Sequence, residues 1–100
     1  MSEEEKLLIE QIDQFLLELR MDDAFNEVLF KEIYAYFSNH MEEYKSSGNF
    51  PSRLVGSLFF LIDQLAGGSR FWDEATCIKA EDAEIALQEL FAELEEPEHN

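Results

Sequence analysis

The sequence is poor in the residues that crosslink or interrupt a chain. It has one cysteine, two prolines and four glycines in 100 residues. Cys77 has no partner for an internal disulfide, which favours a reducing compartment. The acidic start MSEEEK differs from the basic start of a secretory signal, so we expect a cytoplasmic protein. Neither an internal repeat nor a low-complexity segment occurs in the sequence.

Basic residues and long apolar runs are also scarce. Seven basic residues stand against 23 acidic ones, for a net charge of −16. This balance argues against direct nucleic-acid binding and against anionic membrane surfaces, since both need clustered Lys and Arg. The apolar run from Leu58 to Ile62 is far shorter than the ~20 residues of a membrane span. A basic protein is the complementary partner, and the alternative is that acidity only maintains solubility.

Catalytic and metal-binding patterns are missing as well. The sequence has no nucleophile motif, no phosphate-binding loop and no metal-ligand spacing. Cys77 with His40 or His99 would be the one thiol–imidazole pair, but no surrounding signature supports it. Neither histidine completes the Glu-x-x-His pattern of a di-iron bundle. We therefore predict a protein without enzyme activity, metal or cofactor.

Helical periodicity dominates what is present. The predicted first helix covers 3–20 and begins with a capping box formed by Ser2 and Glu5. The second covers 23–45, with Asp22 or Asp23 as its cap. It ends at the loop sequence SSGN.

The central segment from Phe50 to Gly68 is the most apolar part of the chain. It predicts a helix over 51–66, on which Phe60 alone falls on the polar side. One wide apolar stripe contains Leu54, Val55, Leu58, Phe59, Leu61, Ile62, Leu65 and Ala66. We expect this helix to be covered nearly all round, or to keep a surface for a partner.

After Gly67 and Gly68, the pattern predicts a short helix over 69–76 and a last helix over 81–95. The apolar stripe shifts by about half a turn between them, which indicates a break near 77–80. The tail 96–100 should fray. The predicted fold is therefore all-α, a small antiparallel bundle of four main helices plus one short helix in a single domain, 1–100.

One group of aromatic and acidic residues is the candidate partner-binding site. Aromatic anchors beside carboxylates would suit a basic partner. The group comprises Phe60, Asp63, Trp72, Asp73, Glu74, Glu81, Asp82 and Glu84. The alternative is that Trp72 packs under the end of the bundle while the acids are solvated helix caps.

Two stretches resemble the immunity proteins of colicin D-type tRNA-cleaving toxins. RLVGSLFFLIDQLA resembles that family's apolar helix ending in an aspartate, and EDAEIALQELFAEL resembles its last helix. QFLLELRMDDAFNEVLF is similar to the family's first two helices. The chain departs from the family at GGSRFWDEATCIKA, where the family has a proline-rich connection.

The resemblance implies a bacterial immunity protein that covers the cationic cleft of a toxic nuclease. Its carboxylates would stand where RNA phosphates bind. Immunity proteins of pediocin-like bacteriocins share the four-helix build and are the second family considered. A DNA-mimicking inhibitor, another acidic interaction module, a homodimer joined through Phe60, or a small enzyme built around His40 or Cys77 remain alternatives.

Overall fold

The computed structural model describes residues 2–48, 50–67 and 72–95, which form an all-α bundle. Its helices are α1 (Glu3–Asp22), α2 (Glu27–Ser47), α3 (Ser52–Gly67) and α4 (Glu74–Glu95). These described ranges contain no strand. The predicted fraying of the tail 96–100 lies outside the described residues.

The start of α1 confirms the predicted capping box. The Glu5 amide donates to the Ser2 hydroxyl at 3.1 Å, and the Ser2 amide donates to the Glu5 carboxylate at 3.0 Å. These two hydrogen bonds satisfy two of the four first-turn amides that have no acceptor within the helix.

The turn between α1 and α2 differs from the prediction that Asp22 or Asp23 caps α2. Asp23 instead ends α1 in the left-handed conformation, with φ of 55°, and its amide donates to the Glu18 carbonyl. Aspartate is one of the few non-glycine residues that adopts this conformation readily. Asn26 caps α2, its side chain accepting from the Leu29 amide at 3.0 Å. The second helix therefore begins at Glu27 and not at 23.

The predicted break near 77–80 is wrong, and the described part of the predicted short helix, 72–76, does not form a helix of its own. Trp72 and Asp73 are not helical, and α4 runs without interruption from Glu74 to Glu95. Positions 69–71 of the predicted short helix lie outside the described residues. The continuous buried stripe of α4 begins with small side chains that a search for large apolar residues overlooks. Its members are Thr76, Ala80, Ala83, Leu87 and Leu90.

Hydrogen bonds and ring contacts define how the helices run. Gln11 donates to Glu32 at 2.9 Å and Asn26 to Glu18 at 3.1 Å, so α1 and α2 are antiparallel. Phe50, just before α3, contacts Phe91 near the end of α4, with ring centroids 5.6 Å apart. Consequently α3 and α4 are also antiparallel.

The helices pack as a ring in the order α1, α2, α4, α3. The contact between α2 and α4 is parallel, because Glu27 pairs with Lys79 near both helix starts and Phe37 packs on Phe91 farther along. The predicted antiparallel relation thus holds for the consecutive pairs α1–α2 and α3–α4, while α2 and α4 meet as parallel neighbours.

All four helices contribute to one buried core. On α3, however, the buried stripe is narrower than predicted and comprises Leu54, Leu58, Leu61 and Leu65. Phe59 is 67% exposed, and Ala66 is exposed as well. A helix in a four-helix ring touches two neighbours, so an apolar stripe wider than that contact arc must extend into solvent. The helix is therefore not covered all round.

Candidate protein-binding surface

The residues before α4 have structural roles. Asp73 caps the helix: its carboxylate accepts from the Thr76 amide at 2.8 Å. This hydrogen bond lowers the pKa of Asp73. Trp72 is half-buried and packs against the core, as the alternative interpretation of its role expected. Glu74 is exposed in the first turn, where the helix dipole favours a carboxylate.

The remaining α4 acids in the predicted site point in different directions. Asp82 lines a groove between α2 and α4. Glu84 is half-buried on the opposite flank of α4, where its carboxylate accepts from Gln88 at 3.2 Å. Glu81 is exposed on the same flank as Glu84, one turn earlier. The structure therefore divides these three acids between two sides of α4.

The groove between α2 and α4 carries both charge signs. It measures about 410 Å³, and its lining includes Phe30 together with Glu27, Lys31 and Lys79. Lys79 pairs with Glu27 at 2.9 Å, and this contact lowers the pKa of Glu27. Since both partners are about half-exposed, the pair joins the helix starts without adding much stability.

Phe60 and Asp63 do lie together. They line a shallow depression on the outer surface of α3 with Phe59, Ile62 and Ala66. Phe60 is 47% exposed, so about half of the ring is available to a partner. Asp63 is exposed and forms no ion pair with the described part of the chain.

A second groove, of about 490 Å³, runs between α3 and α4 and joins this depression. Phe59 and Ile62 line both. We call it the α3/α4 groove; its lining includes Val55, Phe59, Ile62, Gln88, Phe91 and Ala92. Sequence reasoning assigned Phe59 and Ile62 to the core and missed this surface. The available signal was the width of the α3 stripe.

Tyr36, His40 and Tyr44 form a stacked column on α2. The His40 ring lies 4.1 Å from the Tyr36 ring, and its Nδ1 donates to the Tyr36 carbonyl at 2.8 Å. The Tyr44 hydroxyl is buried and interacts with the Tyr36 side chain, but it forms no hydrogen bond of good geometry with the residues that the structure describes. Burial raises the pKa of both tyrosines, so both hydroxyls stay protonated at neutral pH.

Cys77 is half-buried on α4, and its thiol donates to the Trp72 carbonyl at 3.6 Å. Burial and then the nearby acids Glu81 and Asp73 raise the pKa of this thiol. A reactive cysteine needs the opposite shift, because the thiolate is the nucleophile. His99, the second histidine of the hypothetical pair, lies outside the described residues.

Two further kinds of site are absent from the described ranges. These ranges contain no group of three or more His, Cys, Asp or Glu side chains placed to hold a metal ion. Within the same ranges, none of the helices has the length and apolar character needed to span a membrane.

Relatives offer no guide to this surface. Comparisons of the chain with protein-family models, curated proteins and solved structures gave no match.

Proposed function

We propose that this chain is an acidic binding module for a basic protein. In its specific form it is an immunity protein that neutralises a basic bacterial toxin, a nuclease, in the cytoplasm. The observation that carries the proposal is the uncompensated charge of the folded surface. The net charge is −16, and only two ion pairs form among the described residues, Lys6–Glu3 and Lys79–Glu27.

A field of one sign selects partners of the opposite sign and raises their association rate. A nuclease cleft is cationic because it must bind phosphates. Carboxylates on a rigid bundle would occupy that cleft in place of the phosphates and keep RNA out. The resemblance of RLVGSLFFLIDQLA and EDAEIALQELFAEL to colicin D-type immunity proteins supports the same choice of partner.

The test begins with the product of the neighbouring reading frame. We expect a basic protein that stops growth when expressed alone and is harmless when this chain is co-expressed. The purified pair should associate rapidly at low salt and more slowly as the Debye length shrinks from about 30 Å at 0.01 M to about 3 Å at 1 M. An association rate that does not change with salt would refute the electrostatic mechanism.

A further inference from the structure

The α3/α4 groove is apolar and open. Phe59 lines it and is 67% exposed, so most of a large apolar side chain is in contact with water. The residues that line the groove from α4 are Gln88, Phe91 and Ala92, and they leave Phe59 mostly exposed. Val55, Phe59 and Ile62 follow the i, i+4, i+7 spacing of one helix face, which provides an unbroken apolar line.

Among the side chains that the structure describes, the charges around the groove have one sign. Asp63 stands on the α3 side, next to Phe59. Glu84 lies on the α4 side, where its carboxylate accepts a hydrogen bond from the groove residue Gln88. Glu81 lies one turn before Glu84 on the same helix. We call Asp63, Glu81 and Glu84 the acidic rim. The basic residues within α3 and α4 are Arg53 and Lys79, and both lie on other faces, Lys79 being paired with Glu27.

On these grounds we infer that the α3/α4 groove binds an amphipathic helix whose apolar side chains are flanked by Lys or Arg. This inference rests on the proposed function and names its contact surface. The described residues have no sheet edge, so a partner cannot add a strand, whereas a helix fits between two helices. The apolar line from 55 to 62 spans roughly 10 Å, about two turns of a docked helix.

Charge decides between this occupant and a second copy of the chain. Each copy carries a net charge of −16, and symmetric pairing would place acidic rims close together. A basic helix instead neutralises the rim while covering Phe59. The α2/α4 groove is the weaker candidate for such a helix because Lys31 and Lys79 line it.

The experiment uses a fluorescent amphipathic peptide of about 18 residues, with leucine and lysine at helical spacing, and measures anisotropy. We expect wild-type protein to bind it at low salt. Phe59→Ser should weaken binding roughly tenfold or more, as loss of a central anchor does. The double change Asp63→Asn with Glu84→Gln should weaken it several-fold, most strongly at low salt.

Two matched controls isolate the groove. Val28→Ser removes an apolar side chain of similar exposure from α2, and Glu42→Gln with Glu43→Gln removes two charges there. Both should bind as wild type does, and circular dichroism should show every variant folded. Equal affinity of wild type and Phe59→Ser would refute binding of the peptide in the α3/α4 groove, while leaving the proposed function intact.

Two other outcomes also contradict the inference. If the neighbouring basic protein binds but the peptide does not, the partner surface lies elsewhere or is not a basic helix. If wild-type protein sediments as a dimer that Phe59→Ser converts to monomer, a second copy covers the groove. Failure of any basic protein to associate would refute the proposed function itself.

Discussion

Phe59 and Leu61 provide a direct test of which side of α3 is buried. Phe59 is 67% exposed and Leu61 is 0% exposed, although they are two residues apart. Complete burial of a Phe side chain is worth about 1.5–3 kcal/mol, so the buried third contributes about 0.5–1 kcal/mol. Alanine recovers up to about 0.7 kcal/mol through its higher helix propensity. The Phe59→Ala change should therefore lower the free energy of unfolding by less than about 1 kcal/mol.

Leu61→Ala should be far more damaging. It removes a fully buried side chain and leaves a cavity, which costs about 2–5 kcal/mol. Urea unfolding followed by circular dichroism should show its midpoint lowered by roughly 1–2 M, with the Phe59→Ala midpoint close to wild type. A loss above about 2 kcal/mol for Phe59→Ala would mean that Phe59 belongs to the core. The α3/α4 groove would then not be an open surface.

Four other predictions concern caps, buried polar groups and the thiol. Asn26→Ala should cost about 1 kcal/mol and lower Tm by about 4–8 °C in calorimetry, because the Leu29 amide loses its acceptor; an unchanged Tm would argue against this cap. Tyr44→Phe should leave the unfolding midpoint unchanged or raised, because its buried hydroxyl interacts with Tyr36 but forms no hydrogen bond of good geometry among the described residues; clear destabilisation would show that the contact between Tyr36 and Tyr44 is a stabilising hydrogen bond. The pKa of Asp73 is lowered from 3.8 by folding, so its contribution to stability is complete above that pH and is lost as pH falls through the lower folded value. Asp73→Asn keeps the cap acceptor and should weaken the acid dependence of unfolding, whereas identical pH profiles would contradict this role. Alkylation of Cys77 at neutral pH should be slower in folded protein than in urea, because folding raises the pKa of its thiol; equal rates would refute the shift.

Local signals in the sequence were enough to predict the helical fold. The Ser2–Glu5 capping box is confirmed, since both of its partners lie within one turn. The second cap was misassigned because three polar candidates, Asp22, Asp23 and Asn26, precede α2. Only the left-handed backbone of Asp23, which ends α1, separates them. Sequence spacing alone does not determine which residue turns the chain.

The predicted break in the last helix failed for a reason of packing. Ala80 and Ala83 are 1% and 3% exposed, so small side chains mark the buried face at the start of α4. Ile78, which suggested a second face, is 53% exposed. Large residues outside and small residues inside occur where helices approach closely. Which face of α4 is buried depends on the helices packed against it, so the periodicity of that one segment does not identify the buried face.

The candidate surface was predictable only in part. Phe60 and Asp63 were chosen from sequence, and the structure places them in one depression beside the α3/α4 groove. Asp73 has a capping role and Asp82 lies in the other groove. Phe59 was missed because its exposure depends on how much of the wide α3 stripe the neighbouring helices cover, which the periodicity of α3 alone does not report. Partner binding by any of these residues stays a prediction.

Binding of a basic helix between α3 and α4 can be observed residue by residue, by titrating ¹⁵N-labelled protein with the leucine–lysine peptide and recording amide NMR spectra. We predict saturable shifts concentrated in 55–66 and 81–92, the two sides of the groove. Shifts spread evenly over the acidic faces of α1 and α2, with 55–66 unchanged, would contradict the account.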